Sequence, residues 1–142
     1  MKKTISICLA VLMVFLLSAP AYAADAKSLE AESVVSPQYT HILLLIAGLG
    51  IDSAGKADCV GSVDSSSTSY KTSLTVSLQK YANSKWSTIK SWSDSGPGRG
   101  LIVENYYYVG SGRYRVCSTA KVYNSSGTLL ETASFYSQER TY

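Results

Sequence analysis

An all-β antiparallel sandwich of about seven strands is the fold class this sequence predicts, and three observations predict it. Short runs of alternating apolar and polar residues recur at regular spacing beyond residue 39. Clusters of Gly, Ser, Asn and Asp separate those runs. No stretch beyond residue 24 has both the 3.6-residue period and the length of a core-forming helix.

The first element is not part of that domain. Lys2 and Lys3 precede the apolar run Ile5–Leu17, and Ala21-Tyr22-Ala23 follows it. A positive start, an apolar middle and a small-x-small end are the marks of a secretory signal peptide, expected over residues 1–23. The run is about 13 residues, short of the roughly 20 that span a bilayer, so no stable membrane insertion is expected after cleavage. A flexible leader is expected over 24–38, the sandwich over 39–137 and a C-terminal tail over 138–142.

The strands follow in order. His41–Ala47 is the most hydrophobic stretch and reads as a first strand, ended by Gly48, Gly50 and a turn at Ile51–Gly55. Lys56–Val63 places Ala57, Cys59, Gly61 and Val63 on one face. Leu74, Val76 and Leu78 alternate with Thr75, Ser77 and Gln79, the pattern of a half-buried strand. A turn over Ala82–Lys85 leads into Trp86–Trp92, whose core face the pattern does not decide. Ser93–Gly100, with three glycines and a proline, reads as a loop. Leu101–Val109 carries the run Tyr106-Tyr107-Tyr108, and Gly110-Ser111-Gly112 turns the chain. Tyr114, Val116, Ser118, Ala120 and Val122 then share a face, with Cys117 on the opposite one. Asn124–Gly127 closes a hairpin onto Thr128–Tyr136. The expected core is Leu74, Val76, Leu78, Trp86, Tyr114, Val116 and Val122.

Export changes both the charge and the cysteine count. Removing Lys2 and Lys3 from 13 cationic residues leaves 11 against 10 acidic ones, a formal charge of +1. So small a net charge provides no long-range attraction to nucleic acid, and no nucleic-acid partner is expected. Three cysteines become two, Cys59 and Cys117. An even pair outside the cell reads as a disulfide, worth roughly 4 kcal/mol for a loop of this length. Two free buried thiols are the alternative reading.

The stretch Gly112-Arg113-Tyr114-Arg115-Val116, followed by Ala120–Gly127, resembles the F–G region of fibronectin type III and other immunoglobulin-like domains. In that family a tyrosine opens strand F and its hydroxyl ties the corner to nearby backbone, a role the resemblance assigns to Tyr114. The order Cys59…Trp86…Cys117 is also similar to an immunoglobulin pattern, with one departure. Tyr114 and Cys117 are three apart and face oppositely, so Val116 takes the inter-sheet position, and a Cys59–Cys117 disulfide would tie an outer face or an edge. More broadly, residues 39–136 resemble small secreted proteins of Gram-positive bacteria to which no activity is assigned. The segments that carry this likeness are Tyr39–Ile42, Gly55–Cys59, Leu78–Lys80, Trp86–Ser93 and Gly112–Val116. The resemblance implies secretion and an immunoglobulin-like β-sandwich, and no particular chemistry.

Catalysis has little material. His41 is the one histidine and reads as a structural residue at the start of a strand. Asp52, Asp58, Asp64, Asp94 and Glu104 are scattered mostly through turns, with no DxDxD spacing and no nucleophile elbow. No enzyme activity, metal or cofactor is expected. Binding has more. Three consecutive tyrosines on a strand cannot all point inward: either Tyr106 and Tyr108 face out or Tyr107 does, and Tyr106 and Tyr108 are the candidate ligand-binding residues. The expected function is a secreted, non-enzymatic binding protein at or outside the cell surface, its partner a cell-wall polysaccharide or an extracellular protein. The rival class is a secreted factor or toxin acting on other cells, and a hydrolase with a cryptic site is the third reading.

Overall fold

The computed structural model describes the backbone of residues 31–34 and all of residues 39–142. The expected signal peptide, residues 1–23, lies outside the described residues, as does most of the expected leader. Nine strands are present among the described residues: β1 (Ala31–Val34), β2 (Ile42–Ile51), β3 (Lys56–Ser65), β4 (Lys71–Ala82), β5 (Lys85–Pro97), β6 (Leu101–Tyr108), β7 (Arg113–Tyr123), β8 (Leu129–Tyr136) and β9 (Arg140–Thr141). All pairings are antiparallel. One sheet has the order β1-β2-β3-β6, the other β5-β4-β7-β8, with β9 on the start of β7. The chain therefore changes sheet after β3, after β5 and after β6.

The core lies between the sheets. Leu45, Ala47, Leu49, Ala57, Cys59 and Val63 of one face Leu74, Val76, Leu78, Tyr114, Val116, Ala120 and Val122 of the other, and all are buried. Period-two alternation on β3, β4 and β7 places them there, since successive side chains point to opposite faces. The sheets approach most closely at Gly61. A Cβ there would stand 2.5 Å from Val76 Cγ2 and 2.6 Å from Ser118 Oγ. The Ser118 hydroxyl is fully buried at this crossing and has no hydrogen-bond partner.

Two anchors set the ends. The buried Tyr114 hydroxyl donates to the Gly110 carbonyl at 2.7 Å. The Glu131 carboxylate accepts the backbone N–H groups of Thr40, His41 and Ile42 at 3.1, 2.7 and 2.9 Å, fixing the start of β2 against β8.

Several elements differ from the sequence reading. The expected loop over Ser93–Gly100 is strand as far as Pro97. Ser93, Asp94, Ser95, Gly96 and Pro97 pair with Thr75 back to Lys71. β5 is an edge strand, so a proline there costs no ladder bond and a glycine is tolerated. The β4–β5 turn is only two residues, Asn83 and Ser84, with φ of 52° and 61°, as a type I′ hairpin requires. Trp86 is not in the core. Opposite Leu78/Gln79 the register skips Ile89, and this bulge reverses the phase of β5. Trp86 therefore lies half-buried on the outer face beside Tyr81, and Trp92 packs against the core instead. Residues 31–34 of the expected leader pair with β2, and residues 140–141 of the expected tail pair with β7.

The expected Cys59–Cys117 disulfide is absent, and both residues are free thiols. Cys59 points into the sandwich, its thiol directed at the Ala57 carbonyl. Cys117 points to the outer side of the second sheet, its sulfur 3.8 Å from Thr119 Oγ1. The backbone of β7 separates them, as the opposite phase of Cys117 requires. Burial pushes the Cys59 thiol up to about 12, with the Asp58 charge adding to the effect.

Gly61→Ala is expected to cost about 2 kcal/mol, because the new methyl overlaps Val76 and Ser118. Ser118→Ala is expected to be neutral or to stabilise by about 1 kcal/mol, since it removes an unpaired buried hydroxyl. Urea denaturation of both variants measures this; equal destabilisation by the two would refute the described crossing.

Cys59 ionises in the unfolded chain near pH 9 but in the folded protein only near 12. Its contribution to stability is therefore complete below pH 9 and lost as pH rises towards 12. Against a Cys59→Ala control, the native protein should lose up to about 1.4 kcal/mol more per pH unit above 9. Iodoacetamide at pH 8 should leave Cys59 unlabelled until the protein is unfolded.

Candidate functional site

The alternation that buries Leu101 and Val103 on β6 directs Ile102, Glu104, Tyr106 and Tyr108 outward. Tyr106 and Tyr108 are 52% and 62% exposed, and their rings meet edge-to-face with centroids 5.9 Å apart. Across the ladder, Lys56 pairs with Tyr108 and Asp58 with Tyr106. The Lys56 ammonium stands 4.7 Å from the Tyr106 ring centre and 2.8 Å from Asp58 Oδ1. The hydrogen bond to Asp58 raises the Lys56 pKa, so this ammonium stays charged throughout the physiological range. Tyr107 has the inward phase, opposite the buried Ala57, but on this edge strand it stays 41% exposed, with Lys90 Nζ of β5 6.0 Å from its ring centre. Among the described residues β6 pairs with β3 alone, so its other edge is open beside these rings.

Three of the scattered acids are tied to backbone, and Asp58 to the Lys56 side chain. Asp52 Oδ1 accepts the Ala54 and Lys56 N–H groups and caps the β2–β3 turn. Asp64 Oδ1 accepts the Gly100 N–H. Asp94 accepts the N–H of Ser95. The His41 ring meets Tyr70 edge-on at 5.5 Å. Among the described residues no three His, Cys, Asp or Glu side chains converge as a metal site would need.

The outer face of the second sheet carries a second constellation, which the sequence reading left in separate parts. Arg113 and Arg115 project from β7 opposite Tyr81 and Gln79 of β4. The Arg113 guanidinium lies 4.1 Å from the Tyr81 ring centre and 5.6 Å from Trp86. Arg115 is layered between Trp86 at 4.3 Å and Tyr136 at 4.1 Å, and its Nε donates to Gln79 Oε1 at 2.8 Å. Glu139 pairs with Arg113 at 3.1 Å. The signal was present as the i, i+2 pair Arg113/Arg115 and as Tyr81 and Trp86 flanking a two-residue turn. The expected core position of Trp86 sets it apart from them, and the bulge at Ile89 brings it to the same face.

From this stack towards the opposite end of the face run rows of hydroxyls. Ser77 bonds Ser91 at 2.9 Å, Thr75 bonds Ser93 at 2.8 Å, and Thr119 bonds Ser134 at 2.8 Å. The rows end in a cleft of about 750 Å³ whose lining includes Tyr70, Lys71, Ser73, Ser95, Pro97 and Tyr123.

No family model, no curated protein and no solved structure matches this chain.

Proposed function

We propose that this protein is an exported, non-enzymatic binding module of immunoglobulin-like build, which engages a cell-wall polysaccharide through Tyr106 and Tyr108. Export rests on the Lys2–Ala23 sequence pattern. The immunoglobulin-like reading is supported by connectivity. β2-β3-β6 against β5-β4-β7-β8 corresponds to strands A-B-E against C′-C-F-G. Tyr114 supports it further, because its hydroxyl returns to the backbone four residues upstream at the start of the F-like strand. Val116, two residues after Tyr114 on the F-like strand, is buried in the inter-sheet core, whereas Trp92 lies on the C′-like strand and packs at the margin of that core.

The observation that carries the binding reading is the exposed pair of Tyr106 and Tyr108, with a cation against one ring. Planar rings with polar neighbours suit the alternately apolar and hydroxylated faces of sugar rings. An extracellular protein is the second reading. The 58% exposed Ile102 favours it, since it adds an exposed apolar side chain to the outward face of the same strand, beyond Glu104.

Co-sedimentation of the purified protein with insoluble peptidoglycan is expected to show saturable binding. Tyr106→Ala/Tyr108→Ala should weaken it by about tenfold or more while leaving the thermal melt unchanged, because both side chains are exposed. Undiminished binding by this variant would refute the site. No binding by the native protein would refute the polysaccharide reading and leave the protein partner.

A further inference from the structure

We infer that the outer face of the β5-β4-β7-β8 sheet is a second binding surface, and that its ligand is a carboxylate-bearing glycan chain. The inference is independent of the Tyr106/Tyr108 reading, which concerns the other sheet.

Charge is the first support. The outward register positions of these four strands hold Lys71 on β4 and Arg113, Arg115 and Lys121 on β7. None of the outward positions on β4, β5, β7 or β8 holds an acid. Asp94 and Glu131 have the inward phase, opposite Leu74 and Val122, and Glu131 is occupied by three backbone N–H groups. Glu139, beyond the end of β8, neutralises Arg113. Among the described residues Lys71, Arg115 and Lys121 have no carboxylate partner. A net charge of about +1 for the exported chain thus conceals a one-sided distribution, and the face complements an anionic partner.

The shape of the face selects the kind of anion. Lys71 to Tyr81 is ten residue steps along β4, about 33 Å, which fits a chain better than a single small molecule. Its cations are sparse, with the Ser91–Ser77 and Ser93–Thr75 hydroxyl pairs between Arg115 at one end and Lys71 and Lys121 at the other. Each pair uses one hydroxyl proton internally and keeps one proton and several lone pairs for a ligand. Sugar hydroxyls satisfy such rows, whereas a nucleic acid brings a charge at every residue that these rows do not answer. Arg113 and Arg115 already lie against the faces of Tyr81, Trp86 and Tyr136, so those faces are not open platforms for bases. The rings hold the Arg115 guanidinium in place, and a planar fork so held matches a carboxylate. At the far end the 750 Å³ cleft, with Tyr70, Tyr123 and Lys71 in its lining, accepts a sugar unit beside a cation.

The test is isothermal titration of the purified protein with polygalacturonate, neutral dextran and poly(dT). Binding to polygalacturonate is expected, with little or none to dextran, and it should weaken steeply as NaCl rises from about 0.05 to about 0.3 M. Lys71→Gln/Lys121→Gln alters only exposed side chains. It should lower affinity about tenfold, the equivalent of two exposed ion pairs, without moving the thermal melt. Tyr106→Ala/Tyr108→Ala should bind polygalacturonate as the native protein does. Equal binding by the lysine variant, no binding by the native protein, or poly(dT) binding as tight as polygalacturonate would each overturn the inference.

Discussion

The rest of the structure depends on the register of β7. This strand pairs along its length with β4 on one side and with β8 on the other, and its inward face meets the opposing sheet. A slip of one residue would exchange Tyr114, Val116, Ser118, Ala120 and Val122 for Arg113, Arg115, Cys117, Thr119 and Lys121. Burying three cations in an apolar core is prohibitive, so the register is strongly specified. The Tyr114 hydroxyl, bonded to Gly110, holds it where the strand begins.

That one register produces both the core and the candidate surfaces. The side of β7 that excludes charge from the interior gathers Arg113, Arg115 and Lys121 on the exterior. There they meet the hydroxyls and rings of β4, β5 and β8. On the other sheet the same logic acts on β6. Leu101 and Val103 close the core, and their phase leaves Tyr106 and Tyr108 outside. The two faces differ in chemistry because their strands do. One is an aromatic pair on an edge strand beside the Lys56–Asp58 ion pair, the other a broad hydroxylated field with cations at its ends.

The centre of the sandwich is tuned for close approach rather than for maximal apolar burial. Gly61 admits Val76 and Ser118, and Ser118 is left with a buried hydroxyl that nothing accepts. A small polar residue is compatible with so tight a crossing on steric grounds, although its desolvation is unfavourable. Cys59, two residues away on the same face, is a small hydrophobe in this setting, its thiol held neutral by burial.

Period-two alternation was enough, by itself, to establish an all-β chain, the inward faces of β3, β4 and β7, the outward phase of Cys117 and the exposure of part of the tyrosine run. These are local properties, set by which side chains water and the core accept. Tertiary structure decided what depends on a neighbouring strand. The bulge at Ile89 moved Trp86 from the expected core to the surface, because strand phase is counted against a partner and not along the chain. Pairing with β4 kept Ser93–Pro97 extended despite its loop-like composition. The distance between the two cysteines, and with it the absence of a disulfide, follows from which side of β7 each occupies. The cationic, hydroxylated face exists only once four strands, distant in sequence, are laid side by side, because its residues are neighbours across the ladder rather than along it.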